Sequence, residues 1–270
     1  MFIDLHCHLL PEVDDGSRSV EMSISMARAA VADGTRIIVC TPHINPGLYD
    51  YNSSHVTEWV ASLREQFAAA EVDIGLLPGG DVHLVADLPA RLADGRAPVI
   101  GSSRYFLLEF PHDLCPPRPE RQVERILAAG FIPVLTHPER YGWIEEKPTL
   151  FGSLHSMGCL IQITAGSFLG LFGRRPKFWA NQFLEMGQVN VIASDAHDPV
   201  NRAPGLTAAR DVVAEAVGLE AANQMVLDTP LAILKNAAPE TLPKMKRIVK
   251  TEPSPKKPEG FFSRRVWGQS

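Results

Sequence analysis

The 270 residues carry 26 Lys and Arg against 31 Asp and Glu, a formal charge of −5, so no global positive field recruits nucleic acid and any phosphate binding has to be local. The length fits one large domain, a single α/β barrel or two smaller folds, and no uninterrupted apolar run is long enough to span a bilayer. Four cysteines, Cys7, Cys40, Cys115 and Cys159, lack Cys-x-x-Cys spacing, and residues 1–5 lack the features of a secretory signal, which together place the protein in the cytoplasm with reduced thiols.

The chain opens on a strand, Ile3-Asp4-Leu5-His6-Cys7-His8. Alternate side chains of a strand share a face, so His6 and His8 stand side by side while Cys7 points away into the core. A turn-rich loop follows, then a helix over residues 20–32 stopped by Gly34 and a strand over 36–41, an order that favours a parallel sheet. The alternation continues with a helix at 54–71, strands at 74–78 and 105–110, a helix at 118–129, a strand at 131–136, a helix at 149–157, a strand at 159–164, a helix at 178–186 and a strand at 189–194. About seven such units with no dividing linker predict a closed or nearly closed β/α barrel, with a doubly wound open sheet as the rival. The barrel is expected to occupy residues 1–249. Residues 250–270, with three prolines and two charged clusters, read as a solvated disordered tail; Phe261, Phe262 and Trp267 beside Arg264 and Arg265 give it a weaker capacity to touch a membrane surface or a partner.

Polar side chains of metal-ligand type recur immediately after successive strands: His6 and His8, His43, Asp81, Glu109, His137, and Asp195 with His197, while Asp14 and Asp15 add carboxylates from the first loop. In α/β barrels those strand ends build the active site. Taken singly, His43 could cap a strand, Glu109 could be a solvated charge and Asp195 could cap the next element. Their joint recurrence favours a metal site, and they exceed what one four-coordinate zinc needs. Mixed imidazole and carboxylate ligation suits several first-row ions, manganese, iron or zinc, that clamp a phosphoryl oxygen and lower the pKa of a bound water. Arg140 and Arg202, each a few residues beyond a ligand, are placed to grip phosphate oxygens. His55, His83, His112 and His155 fall elsewhere in the pattern and read as surface or packing histidines.

These residues resemble the polymerase and histidinol phosphatase (PHP) superfamily, and within it the bacterial manganese-dependent protein tyrosine phosphatases of capsule and exopolysaccharide operons. The resemblance runs through His6-Cys7-His8, Val13-Asp14-Asp15-Gly16, Ser103-Arg104-Tyr105, Leu108-Glu109-Phe110, His137-Pro138-Glu139-Arg140-Tyr141 and Ile192-Ala193-Ser194-Asp195-Ala196-His197, and reaches about residue 236. It implies a distorted TIM-like (β/α)7 barrel of the PHP type holding three divalent ions, Mn²⁺ with Fe or Zn as alternatives. By motif, His6, His8 and Asp195 with Asp81 would hold one ion, Glu109 and His137 with Asp81 the second, and Asp15, His43 and His197 the third, while Arg140 and Arg202 bind the substrate phosphate. The family usually has Glu where this chain has Asp81, a bridge one methylene shorter.

The resemblance implies hydrolysis of phosphotyrosine on the tail of a tyrosine autokinase that regulates polysaccharide export, by a metal-activated hydroxide. Histidinol phosphate or another small phosphomonoester is the alternative substrate. A non-catalytic metal-binding regulatory module is the alternative of another class, hinted at only by Asp81. No cysteine here begins the Cys-x5-Arg loop of a thiolate phosphatase.

Overall fold

In a computed structural model of the chain, which describes residues 1–248, the elements run in the order β1 (Phe2–Cys7), α1 (Val20–Asp33), β2 (Thr35–Cys40), β3 (His43–Ile44), α2 (Ser53–Ala69), β4 (Gly75–Pro78), β5 (Asp81–His83), α3 (Leu88–Ala93), β6 (Tyr105–Glu109), α4 (Pro119–Ala128), β7 (Ile132–Thr136), α5 (Leu150–Ser156), β8 (Leu160–Thr164), α6 (Ala165–Leu169), α7 (Arg174–Glu185), β9 (Val191–Ala193), α8 (Thr207–Val217), α9 (Leu219–Asn223) and α10 (Thr229–Leu234). The expected tail lies outside the described residues. Local chemistry sets the main boundaries. The Ser19 hydroxyl accepts from the Met22 amide to start α1, and Gly34 ends it at φ 105°, a conformation that only a residue without Cβ adopts freely. Asn52 and His55 form a reciprocal cap at the start of α2.

All pairings between these strands are parallel, in two sheets ordered β1-β2-β4 and β3-β5-β6-β7-β8-β9. The sheets are successive storeys of the same strands. β3 resumes β2 after Thr41 and Pro42, and β5 resumes β4 after Gly79 and Gly80. Hydrogen bonds from the Gly79 amide to the Cys40 carbonyl and from the Asp81 amide to the Pro42 carbonyl, both 3.0 Å, carry the pairing across the break. At the other side β9 meets β1 through a parallel bridge between Cys7 and Ala196, with the Asp195 amide donating to the His6 carbonyl at 2.8 Å and the His8 amide to the Ala196 carbonyl at 2.9 Å. With the interrupted strands each counted once, there are seven strand positions, the number that the alternation predicted, in the distorted arrangement that the resemblance implied. The sequence reading missed β3 and β5 as separate strands, because Pro42 and the Gly79-Gly80 pair break the ladder locally.

The barrel's inward rows explain why chemistry collects at one end. Ile3, Leu5, Val39, Tyr105, Leu107, Ile132, Val134, Leu160, Val191 and Ala193 share one buried apolar cluster, with Ile233 and Leu242 from the C-terminal segment packed into it. Two residues further along the same strand faces stand Glu109 after Leu107, Thr136 after Val134, Gln162 after Leu160 and Asp195 after Ala193. Each row starts apolar and finishes polar, so the core fills the lower barrel and the ligands line its mouth. β1 is irregular. Leu5 belongs to the inner cluster and Cys7 to the outer one, and a register shift between Asp4 and Cys7 turns His6 and His8 toward the mouth, as bulges beside sites do.

Candidate metal centre

Asp81 sits at the middle of the mouth. Its Oδ1 accepts from the Thr136 hydroxyl at 3.2 Å, while Oδ2 is buried without a hydrogen-bond partner. That oxygen lies 3.6 Å from His6 Nε2, 3.6 Å from His43 Nδ1 and 3.7 Å from His137 Nε2. These spans are too long for hydrogen bonds. Two donors on one ion at bond lengths of about 2.1 Å stand roughly 3–4 Å apart, so the spacing suits ligands of a divalent cation.

Around Asp81 the ligand-type side chains stand in overlapping groups, with His8 and His43 each shared between two of them. His6 and His8 bring their Nε2 atoms within 3.1 Å of each other, and Asp195 Oδ1 is 3.4 Å from the first and 3.5 Å from the second. Asp15 Oδ1 lies 3.5 Å from His43 Nε2 and 3.3 Å from His197 Nε2. Ligand atoms of His8, Asp15, His43 and His197 lie within 4.8 Å of one another, as do those of Glu109, His112 and His137, of His6, His8 and Asp81, and of His43, Asp81 and Glu109. The donor set is all imidazole and carboxylate, which fits first-row divalent ions.

The structure corrects two expectations. His83 and His112, read from sequence as surface or packing residues, both face Glu109: His112 Nε2 is 3.1 Å from Oε1 and His83 Nδ1 is 3.6 Å from Oε2. The sequence carried a signal for His83, since Asp81-Val82-His83 repeats the alternation of His6-Cys7-His8. His112 lies just beyond the end of β6, in a loop with no periodicity to place it. His55 caps α2 and His155 lies part-buried on α5, as expected.

A supporting layer orients the ligands. Gln162 Oε1 stands 2.9 Å from His6 Nδ1, and Asp14 Oδ2 stands 2.7 Å from His8 Nδ1 while accepting the His43 amide at 3.0 Å. Such partners fix the ring and leave the opposite nitrogen free to ligate. Asp14 is in turn held by the Gly16 amide at 2.9 Å, and a Cβ on Gly16 would fall 2.3 Å from the His8 carbonyl oxygen, so only glycine fits there. His137 and Asp195 end their strands in the left-handed region, at φ 36° and 51°, local strain of the kind that persists at functional sites.

The electrostatics are those of a site awaiting positive charge. Burial drives the Asp81 carboxyl pKa up, and the charge of Glu109 adds to it. Burial also opposes ionisation of Asp195, but His6, His8, Arg140 and Arg202 outweigh it and hold that carboxyl well below its usual range. Burial and the nearby Arg140 charge keep His137 well below the ordinary imidazole value, and burial lowers His6 to about 4 despite Asp195 and Asp81. Neutral His6 and His137 beside an ionised Asp195 are in the protonation states that a cation needs, whereas Asp14 and Asp195 outweigh burial at His8 and raise it to about 10, so His8 must give up a proton to ligate.

Above the ligands opens a cavity of about 200 Å³ whose lining includes Glu109, His112, His137, Arg140, His197 and Arg202. Arg140 Nη1 donates to Asp195 Oδ2, and Arg202 Nη2 donates to the same oxygen at 2.7 Å. Both arginines line the wall of the cavity. None of the four cysteines lines it.

A family model described as capsular polysaccharide synthesis, CpsB/CapC, matches residues 2–235. The Bacillus subtilis protein named tyrosine-protein phosphatase YwqE is 36% identical over 200 residues, covering 74% of this chain and 79% of its own length. Tyrosine-protein phosphatase CpsB of Streptococcus pneumoniae is 31% identical over 237 residues, covering 86% and 98%. A crystal structure from work on those two proteins, described as metal-dependent tyrosine phosphatases, superposes with a TM-score of 0.84 at 34% identity over 87% of this chain and 95% of its own. A lactonase from Listeria monocytogenes, at TM-score 0.50 and 12% identity over 86% of this chain and 94% of its own, shares the fold alone.

Proposed function

The chain belongs to the CpsB/CapC family of capsular polysaccharide synthesis, and from that premise we propose that it is a metal-dependent protein tyrosine phosphatase acting on a tyrosine autokinase that controls capsule or exopolysaccharide export. The observation that carries the reading is the convergence of His43, His137 and two arginines on one small polar cavity, with an unpartnered Asp81 oxygen and the His6 imidazole buried beside it. Three divalent ions, Mn²⁺ first, account for the ligand groups: His6, His8 and Asp195 with Asp81; Glu109 and His137 with Asp81, joined here by His112; and Asp15, His43 and His197. Bound ions would supply Lewis acidity toward the phosphoryl oxygens and a water acidified enough to attack phosphorus.

The chain's own residues do the rest. Arg140 and Arg202 bind the phosphoryl oxygens through the N–H groups that Asp195 leaves free, and neutralise charge that grows there in the transition state. Asp195 holds both guanidinium groups toward the cavity. Gln162 and Asp14 keep His6 and His8 turned inward, and the apolar lower barrel closes the site from below. No thiol takes part: Cys7, Cys40 and Cys159 are buried, and burial pushes Cys40 and Cys159 up to about 12. Among the described residues no helix is long and apolar enough to cross a membrane.

The deciding experiment incubates the purified protein with Mn²⁺ and either a phosphotyrosine peptide or histidinol phosphate, beside His137→Ala. Peptide hydrolysis by the wild type alone is expected. Hydrolysis of histidinol phosphate alone would move the protein to small-molecule metabolism, and tight metal binding with neither reaction would make it a regulatory module.

A further inference from the structure

Phe172 holds an unusual position. The Cζ atom of Arg140 lies 4.6 Å from its ring centroid and that of Arg202 lies 5.9 Å away, so one aromatic ring contacts both guanidinium groups of the cavity wall. The arginines come from different loops, one just after β7 and the other beyond β9. Besides Phe172, the side-chain contact they share is Asp195.

The two contacts differ in what they consume. Asp195 takes N–H donors, one from each arginine at its Oδ2. An aromatic ring engages the guanidinium group without taking any donor, through the attraction of the cation to the π cloud. Phe172 therefore restrains two long side chains without claiming any of their N–H groups. Both guanidinium groups are largely shielded, with side-chain exposures of 19% for Arg140 and 26% for Arg202, where such contacts are stronger than on an open surface.

The ring is itself fixed. It sits in the turn after α6, between Gly170 at φ 82° and Gly173 at φ 92°, closed by hydrogen bonds from the Leu171 amide to the Gly166 carbonyl at 2.9 Å and from the Gly173 amide to the Gly170 carbonyl at 3.0 Å. It also packs on Gly166, where a Cβ would fall 2.9 Å from Phe172 Cε2.

We propose that Phe172 is a positioning residue for phosphate binding: its ring sets the orientation of Arg140 and Arg202 so that their free N–H groups meet the phosphoryl oxygens together. This rests on the reading that those arginines hold the substrate phosphate. Phe172 acts through them and makes no contact with the phosphate itself.

The test uses the full-length, Mn²⁺-loaded protein and compares wild type with Phe172→Leu and Phe172→Tyr, measuring kcat and KM for p-nitrophenyl phosphate and the inhibition constant of inorganic phosphate, with thermal melting as the check on folding. Leucine keeps the apolar bulk and loses the π face; tyrosine keeps both. In Phe172→Leu, KM and the phosphate inhibition constant should rise by a common factor, roughly three- to thirty-fold for a shielded cation–π contact, and Phe172→Tyr should restore both. An unchanged phosphate inhibition constant in a folded Phe172→Leu protein overturns the proposal, as does a rise in KM alone, which would mean that the ring meets the aryl group of the substrate. If Phe172→Leu does not fold, Gly166→Ala, whose methyl displaces the same ring edge, should give the same joint rise, and its absence overturns the proposal. Arg140→Ala separates the two levels: phosphate inhibition unaltered in that variant defeats the reading of the arginines, whereas phosphate inhibition lost there and unaffected in Phe172→Leu defeats only the role of Phe172.

Discussion

Arg140 and Asp195 meet across the mouth of the barrel, the guanidinium group from the turn after β7 donating to the carboxylate at the end of β9. The same carboxylate turns its other oxygen toward His6 and His8, so one side chain ties the arginine wall of the cavity to its imidazole floor. Arg140→Ala should lower kcat/KM for a phosphotyrosine peptide by about 10²-fold or more, the usual effect of removing a donor to developing negative charge. Arg140→Lys should recover little of it, because an ammonium group cannot pair with Asp195 and fork toward phosphate at once. Steady-state kinetics on the three proteins checks this, and recovery near the wild-type rate with lysine would contradict the geometry.

Asp14 is expected to act on metal affinity and not on the chemistry. It holds His8 by Nδ1 and steadies the His43 backbone without entering the cavity lining. Asp14→Asn should weaken Mn²⁺ binding by about 10- to 100-fold, the range for loss of a partner that orients a ligand, and saturating Mn²⁺ should return most of the rate. Calorimetric titration with Mn²⁺ gives the first number and a rate against Mn²⁺ concentration the second.

Asp81 sets stability against function. In the metal-free protein its carboxyl is buried with one oxygen unpartnered, beside Glu109, a placement that costs folding energy. Metal-free Asp81→Asn should melt at the same temperature as metal-free wild type or above it. Added Mn²⁺ should stabilise the wild type strongly and the variant weakly. A variant that melts lower when both are metal-free would show that Asp81 supports the fold by itself.

Exhaustive chelation should abolish hydrolysis and lower the melting temperature, and Mn²⁺ should restore both. A ligand present at 100 times its dissociation constant adds about 2.7 kcal/mol per site to the native state, so the thermal shift should be large. Full activity after verified metal removal would end the proposed chemistry.

The thiols should be bystanders. Burial raises all four thiols, but Cys7, Cys40 and Cys159 are buried whereas Cys115 is only part-buried. Iodoacetamide at pH 8 should label Cys115 in the native protein and all four cysteines only after unfolding. Hydrolysis should survive the native labelling, as read by peptide mapping and an assay on the same sample.

The sequence by itself determined the strand–helix alternation and the end of the barrel where the ligand-type side chains collect, because a parallel barrel exports its strand ends to one rim and the motifs sit on those ends. His6 and His8 were legible as a pair with Cys7 opposed, since the period of two is local. Only the tertiary structure decided the contacts between rims. The bulge in β1 that turns His6 and His8 inward depends on pairing with β2, the approach of His112 to Glu109 on the path of an aperiodic loop, and the stacking of Phe172 on two arginines on three separate loops packing together. Asp81 shows the division most clearly. From sequence its shorter side chain threatened the bridge, yet in the folded chain its free oxygen reaches within 3.7 Å of His6, His43 and His137, because the backbone of β5 that carries it is set by pairing with β3 and β6, a distance that no local pattern encodes.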